Sequence, residues 1–256
     1  MLKKILILSF TFSFQFSLAY HVVVDPGHGG VDQGATRDKL KESNIALSVG
    51  LQLKKLIEQN PDFQITMTRS SDQELSLEKR VEIAHKSNAD LMISIHANSS
   101  PDLRARGVEF YFQNQLPADE ESMYLANKEN QIANSAKQSV ESSPIDLNKK
   151  SEVAAIIEDL KKQNQIQKSF QLAQAFKDSW PQSEVAKKNV IRQAPFFVVN
   201  QAQIPSVLVE IGFLTHPSDA QKLANESHHK KIAENIYAGL VKFKEKIDKT
   251  PSSTLR

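Results

Sequence analysis

Apolar positions along the chain switch between two periods, and the switching predicts an α/β fold. His21–Val24 is a short β-branched run that stops at Asp25-Pro26-Gly27-His28-Gly29-Gly30, so a strand feeds a loop. Ile45, Leu47, Val49, Leu51, Leu53, Leu56 and Ile57 then recur over a stretch too long for a strand, which predicts an amphipathic helix ending near Asn60-Pro61. Phe63–Met67 alternates as a strand, and Leu77–His85 repeats Leu77, Val81 and Ala84 at helical spacing. Leu91–Ile95 is nearly all apolar, the pattern of a strand buried on both faces, and Gly107–Phe112 and Ser206–Ile211 read as further strands. Ile232–Ile247 carries Ile232, Ile236, Leu240 and Phe243 on one face and predicts a closing helix. Strands alternating with helices predict a mixed sheet covered on both sides.

The middle of the chain breaks that rhythm. No glycine occurs between Gly107 and Gly212, and Pro117–Val190 is rich in Gln, Lys, Asn, Ser, Glu and Ala. Val153, Ile156, Ile157 and Leu160 form an i, i+3, i+4, i+7 stripe, and Ile166, Phe170, Ala173 and Phe176 continue a helical face. Residues 119–180 are therefore expected to be a helical insertion, broken at Ser142-Ser143-Pro144, in a sheet domain that is complete without it. One domain is expected over 20–248, with a polar tail over 249–256.

Composition changes the picture in three ways. The 256 residues, 40% hydrophobic and 24% charged, have the balance of a soluble globular protein. Cysteine is absent, which excludes disulfide frameworks, thiolate metal sites and cysteine nucleophiles. Residues 1–19 read as a secretory signal: Lys3 and Lys4, an apolar stretch, then Ser17-Leu18-Ala19 as a cleavage site. That apolar stretch is short of the roughly 20 residues a spanning helix needs, so no stable membrane span is expected after cleavage. Cleavage removes two lysines from a chain of net charge +2, and a neutral mature protein gives no reason to expect a nucleic-acid partner. Export is expected, to the periplasm first and to the extracellular space as the alternative.

Candidate chemistry stands where apolar strands end. His28 follows the first strand inside a loop holding Gly27, Gly29, Gly30 and Gly34, half of the eight glycines. His96 follows Leu91–Ile95, Glu210 ends Val207–Val209, and Glu42 sits in the first turn of the helix after the glycine loop. Ligands bind outside the carboxyl ends of strands in open α/β sheets, so parallel neighbours would bring these groups together. Two imidazoles and a carboxylate suit a catalytic zinc with an open position, and Glu210 is placed to act as general base. Of the other histidines, His21 is next to the new N-terminus, His85 is on a helix and His216 is in a loop, while His228-His229 reads as a solvated helix start. No G-x-S-x-G supplies a serine nucleophile, and no P-loop, H-E-x-x-H or G-x-G-x-x-G is present.

Val23-Val24-Asp25-Pro26-Gly27-His28-Gly29-Gly30, Glu42, Ser94-Ile95-His96-Ala97-Asn98 and Val209-Glu210-Ile211-Gly212-Phe213-Leu214 together resemble the zinc-dependent N-acetylmuramoyl-L-alanine amidases of the type 3 family. Arg69, closing Thr66-Met67-Thr68-Arg69, and Arg80, in Leu77-Glu78-Lys79-Arg80, resemble stretches between the family's metal motifs. The likeness runs from about Val22 to Lys244. It implies a twisted, largely parallel sheet of about six strands flanked by helices. It further implies Zn2+ held by His28, Glu42 and His96, with Glu210 as the catalytic acid and base. The substrate implied is peptidoglycan, cut between N-acetylmuramic acid and L-alanine. Relatives from Gram-negative bacteria carry a helical segment that covers the zinc until a partner removes it. Leu125-Ala126-Asn127-Lys128-Glu129-Asn130 resembles the stretch whose glutamate reaches the metal, which gives Glu129 a regulatory role and implies an activator protein. A metallo-deacetylase or carboxypeptidase of the wall, and a non-catalytic peptidoglycan-binding module, are the alternatives.

Overall fold

The computed structural model describes residues 19–113, 118–134, 152–186 and 190–249. Residues 1–18 of the expected export signal, the Ser142-Ser143-Pro144 break and the tail beyond Lys249 lie outside the described residues. In chain order the elements are β1 (Tyr20–Pro26), β2 (Thr36–Arg37), β3 (Leu40–Lys41), α1 (Glu42–Glu58), β4 (Phe63–Met67), α2 (Leu77–Lys86), β5 (Leu91–Asn98) and β6 (Glu109–Phe112). They continue with α3 (Glu120–Asn134), α4 (Glu152–Lys177), β7 (Ile191–Gln193), α5 (Phe197–Gln201), β8 (Ser206–Phe213), α6 (Pro217–Leu223) and α7 (Glu226–Lys249).

Six strands form one sheet in the order β4-β1-β5-β8-β6-β7. The first four are parallel; β6 runs antiparallel to β8 and parallel to β7. The α/β class and the largely parallel six-strand sheet are as expected. Alternation along β1 and β5 splits the apolar residues between two layers. Val22, Val24, Ile93 and Ile95 face α1, α7 and the second half of α4. Val23, Met92, Leu208 and Tyr111 face α2, α3 and α5.

Several expectations change. β5 runs on past its apolar core, so His96 lies inside the strand rather than after it, and β8 continues to Phe213, two residues beyond its expected end. Three-residue β7, five-residue α5 and the β2-β3 hairpin are too short to carry a period, and the sequence pattern does not announce them. The sheet domain is not complete without residues 119–180. Ile166, Leu172, Ala173, Phe176 and Trp180 belong to the main core, where Phe176 and Trp180 pack on Phe110. The stripe Val153, Ile156, Ile157 and Leu160 in the first half of α4 stays exposed, at 48–65%. His229 is buried, its ring bonded to Ser48 Oγ at 2.8 Å and Leu223 O at 2.7 Å, because the second residue of the pair turns toward α1 rather than solvent.

Candidate metal centre

Two buried arginines shape the loop after β1. Arg69 donates to Pro26 O (2.9 Å), Gly27 O (2.7 Å) and Ser43 O (2.8 Å), and Arg80 donates to Pro26 O and His28 O (each 2.7 Å). Arg80 also pairs with Asp25, which accepts from Thr68 and Ser94. Burial works against the Asp25 charge, but Arg80 and these hydrogen bonds outweigh it and hold the carboxyl below its usual range. The loop is thereby fixed although His28 has φ 58°, a conformation unfavourable for a side-chain-bearing residue.

His28, Glu42, His96 and Glu129 converge, with one donor atom from each lying within 4.8 Å of the others, and all four are buried. His28 Nε2 is 3.0 Å from Glu42 Oε1 and 3.1 Å from Glu129 Oε2. His96 Nδ1 is 2.9 Å from Glu42 Oε1 and 3.5 Å from Glu129 Oε2. Two glycines make room: a Cβ on Gly27 would overlap the His96 ring, and one on Gly34 (φ 64°) would stand 2.6 Å from Glu42 Oε2 and from His28 Cδ2. Asp32 Oδ2 holds the other His28 nitrogen at 2.8 Å, an outer partner that orients the ring.

The donor set fits a divalent metal ion. His28 Nε2 and Glu129 Oε2 are buried without a hydrogen-bond partner, and a cation between them would satisfy both. Three carboxylates crowd two imidazoles. Burial opposes a charged His28, but the Glu42 charge beside it, the hydrogen bond with Asp32 and the nearby Glu129 carboxylate lift the imidazole well above its usual range. Burial likewise opposes the Glu42 charge, and the two imidazoles hold that carboxyl well below its usual range.

Glu210 is not among the four converging donors. Its register partners are His96 on β5 and Glu109 on β6, so it stands on the face of the sheet that His96 occupies. It is 1% exposed, and its Oε2 has no hydrogen-bond partner. Burial, then the charges of Glu42, Glu129 and Glu109, push it well above the usual carboxylate range. Sequence reasoning passed over Asp25 and Asp32. Asp32, four residues after His28 in the glycine loop, carried the one signal that could have been read. His21, His85 and His216 lie apart from the cluster, bonded to Thr66, facing Ala202 O and near Asp219.

α3 covers this cluster. Asp119 caps it by accepting from Ser122 N at 2.9 Å, and Ser122, Leu125 and Ala126 are buried beneath it. Asn130 donates to Pro195 O and accepts from Phe197 N, each at 2.9 Å, which sets the helix over the site.

Known proteins share this fold and sequence pattern. The family model described as N-acetylmuramoyl-L-alanine amidase (Amidase_3) matches residues 22–242. A Haemophilus influenzae protein described as a probable N-acetylmuramoyl-L-alanine amidase AmiB is 33% identical over 252 residues, covering 95% of this chain and 57% of its own length. The N-acetylmuramoyl-L-alanine amidase AmiA of Escherichia coli is 32% identical over 225 residues, 87% of this chain and 75% of its own. Among solved structures, N-acetylmuramoyl-L-alanine amidase AmiC2 of Nostoc punctiforme aligns with a TM-score of 0.60 at 27% identity, covering 88% of this chain and 97% of that one. This chain therefore belongs to the N-acetylmuramoyl-L-alanine amidase family.

Proposed function

We propose that the chain is an exported, zinc-dependent hydrolase that cuts the amide between N-acetylmuramic acid and L-alanine in peptidoglycan. Family membership supports the bond, and the relatives' names give the same chemistry. The observation that carries the metal is the convergence of His28, Glu42, His96 and Glu129 on one buried point. His28, Glu42 and His96 would hold the ion, since nitrogen and oxygen donors of this kind suit zinc. Bound there, zinc supplies a Lewis acid that polarises the amide carbonyl and makes a water more acidic. Glu210 takes a proton from the attacking water and delivers it to the alanine nitrogen, which leaves only when protonated. Peptidoglycan lies outside the cytoplasm, which fits an export signal and a periplasmic site of action. Among the described residues no helix is long and apolar enough to cross a membrane.

In the same reading α3 is a lid. Glu129 occupies the position that water and substrate need, and an activator protein withdraws it. The exposed stripe Val153, Ile156, Ile157 and Leu160 gives such a partner an apolar handle.

Digestion of purified peptidoglycan tests the reaction: the expected product is an intact stem peptide with a free L-alanine amine. Release of acetate or of a C-terminal amino acid instead would overturn it. Glu210→Gln keeps the size and loses the basicity, so turnover is expected to fall by about 10²- to 10⁴-fold with metal content unchanged. A near wild-type rate would remove Glu210 from the mechanism.

A further inference from the structure

α3 lays a second carboxylate on the sheet. Eight residues before Glu129, Glu121 Oε2 accepts from Arg192 Nη1 at 2.7 Å, with Asp119 Oδ1 at 3.7 Å from the same nitrogen. The Arg192 side chain is 9% exposed, and its Nη2 stands 3.5 Å from Glu109 Oε1. Glu109 Oε2 accepts in turn from Asn98 Nδ2 (3.3 Å) and Tyr111 Oη (3.0 Å). Register carries the row across the sheet: Arg192 lies opposite Tyr111, Glu109 opposite Glu210, and Glu210 opposite His96. Paired residues share a face, so Arg192, Glu109, Glu210 and His96 all stand beneath α3. Beside Arg192 opens a cleft of about 770 Å³ whose lining includes Arg106, Glu109, Glu121, Phe213 and His216.

A buried guanidinium is costly unless its charge is met. The compensation described comes from both sides: Glu109 belongs to the sheet and stays, whereas Glu121, with Asp119 at the cap of α3, belongs to the segment that covers the site. We infer that Arg192 is an anion subsite of the substrate groove, which holds a carboxylate of the peptide stem and which Glu121 fills while α3 is down. α3 would then imitate substrate at two points, Glu129 at the metal centre and Glu121 at Arg192. The inference rests on the amidase reading above. Spacing narrows the ligand. Eight residues of helix rise about 12 Å, and an extended peptide advances about 3.3–3.6 Å per residue. The recognised carboxylate therefore lies three to four residues along the stem from the scissile amide. Arginine is the side chain suited to it, because its planar fork pairs both carboxylate oxygens.

The test uses the zinc-loaded full chain in a Glu121→Gln, Glu129→Ala background, where both carboxylate contacts of α3 are already broken, so that a change at Arg192 is read on substrate rather than on either contact. Two soluble muropeptides are compared, one with free stem carboxylates and one with those carboxylates amidated. Adding Arg192→Gln is expected to raise KM for the free-carboxylate substrate by about 10-fold or more with kcat little changed, and to leave the amidated substrate within about 2-fold. Arg192→Lys, which keeps the charge and loses the fork, is expected to fall between, and it replaces Arg192→Gln if the latter does not fold. Calorimetry of the released stem peptide on the same proteins gives a readout without turnover: affinity is expected to drop with Arg192→Gln. An unchanged KM and affinity, or an equal change for both substrates, overturns the subsite. Absence of turnover from every variant, the uncovered Glu129→Ala background included, overturns the amidase reading instead, and the binding arm still decides Arg192.

Discussion

α1 and α3 each bring a glutamate to the same two imidazoles, yet they hold it in different ways. Glu42 opens α1, and both its oxygens are tied to backbone: Oε1 accepts from Ala97 N at 3.0 Å and Oε2 from Ala35 N at 2.7 Å. Behind it α1 buries Ile45, Ala46, Val49, Leu53 and Ile57 in the main core. Glu129 has an oxygen with no hydrogen-bond partner, and Leu125 is the one large apolar side chain among the buried residues described for α3. Met123 and Tyr124 point outward. Burying a leucine contributes about 1.5–3 kcal/mol, against several times that for the five apolar side chains of α1. The contrast teaches that donors at similar distances from the two imidazoles differ in the support behind them, firm for Glu42 and slight for Glu129.

Breaking that contrast gives the largest expected effect. Glu42→Ala removes a donor that the framework has fixed, so zinc affinity is expected to fall by more than the roughly 100-fold that loss of an outer partner costs, and hydrolysis to vanish. Glu129→Ala is expected to retain zinc and hydrolyse peptidoglycan faster than wild type without any partner. Metal analysis after dialysis, with rates on the same samples, decides it; equal metal loss in both variants would erase the distinction.

A stability comparison comes next. Phe176 lies in the half of α4 that joins the core, so Phe176→Ala is expected to cost about 3–5 kcal/mol in global unfolding. Leu125→Ala is expected to leave the denaturant midpoint nearly unchanged while amides of α3 lose protection in hydrogen exchange. A large shift in midpoint for Leu125→Ala would show α3 to be part of the cooperative core. The smallest effect is at Asp32, which touches the cluster only through His28. Asp32→Ala is expected to weaken zinc binding about 10- to 100-fold, read by chelator competition. No change would mean that Arg80 and the loop backbone orient His28 unaided.

Long, strongly periodic elements were legible along the chain. β4 spans Phe63–Met67 as read, α2 ends one residue later than expected, α1 begins three residues before Ile45, and α7 begins six residues before and ends two after Ile232–Ile247. His28, His96 and Glu210 were legible as candidates because each puts an ionisable group at or near the end of an apolar run, where burial is costly unless a partner or a ligand meets it, and Glu42 as an acidic residue in the first turn of the helix after the glycine loop. α4 was misread because a helical stripe reports a face and not what covers it. Val153–Leu160 and Ile166–Phe176 look alike in sequence, and only the second meets the sheet.

Local sequence determined the alternation of strands and helices, the glycine loop that lets Gly27 and Gly34 approach three side chains, and the residue types available for metal chemistry. Those are short-range properties, set by period, backbone freedom and side-chain donors. Tertiary structure decided what depends on partners far apart in the chain. Arg80 fixes His28 from 52 residues away, and Arg192 meets Glu121 across 71. Whether a charged side chain is buried and paired, or solvated, depends on groups brought together by folding. No window of sequence around Arg192 contains the carboxylates that make it a site.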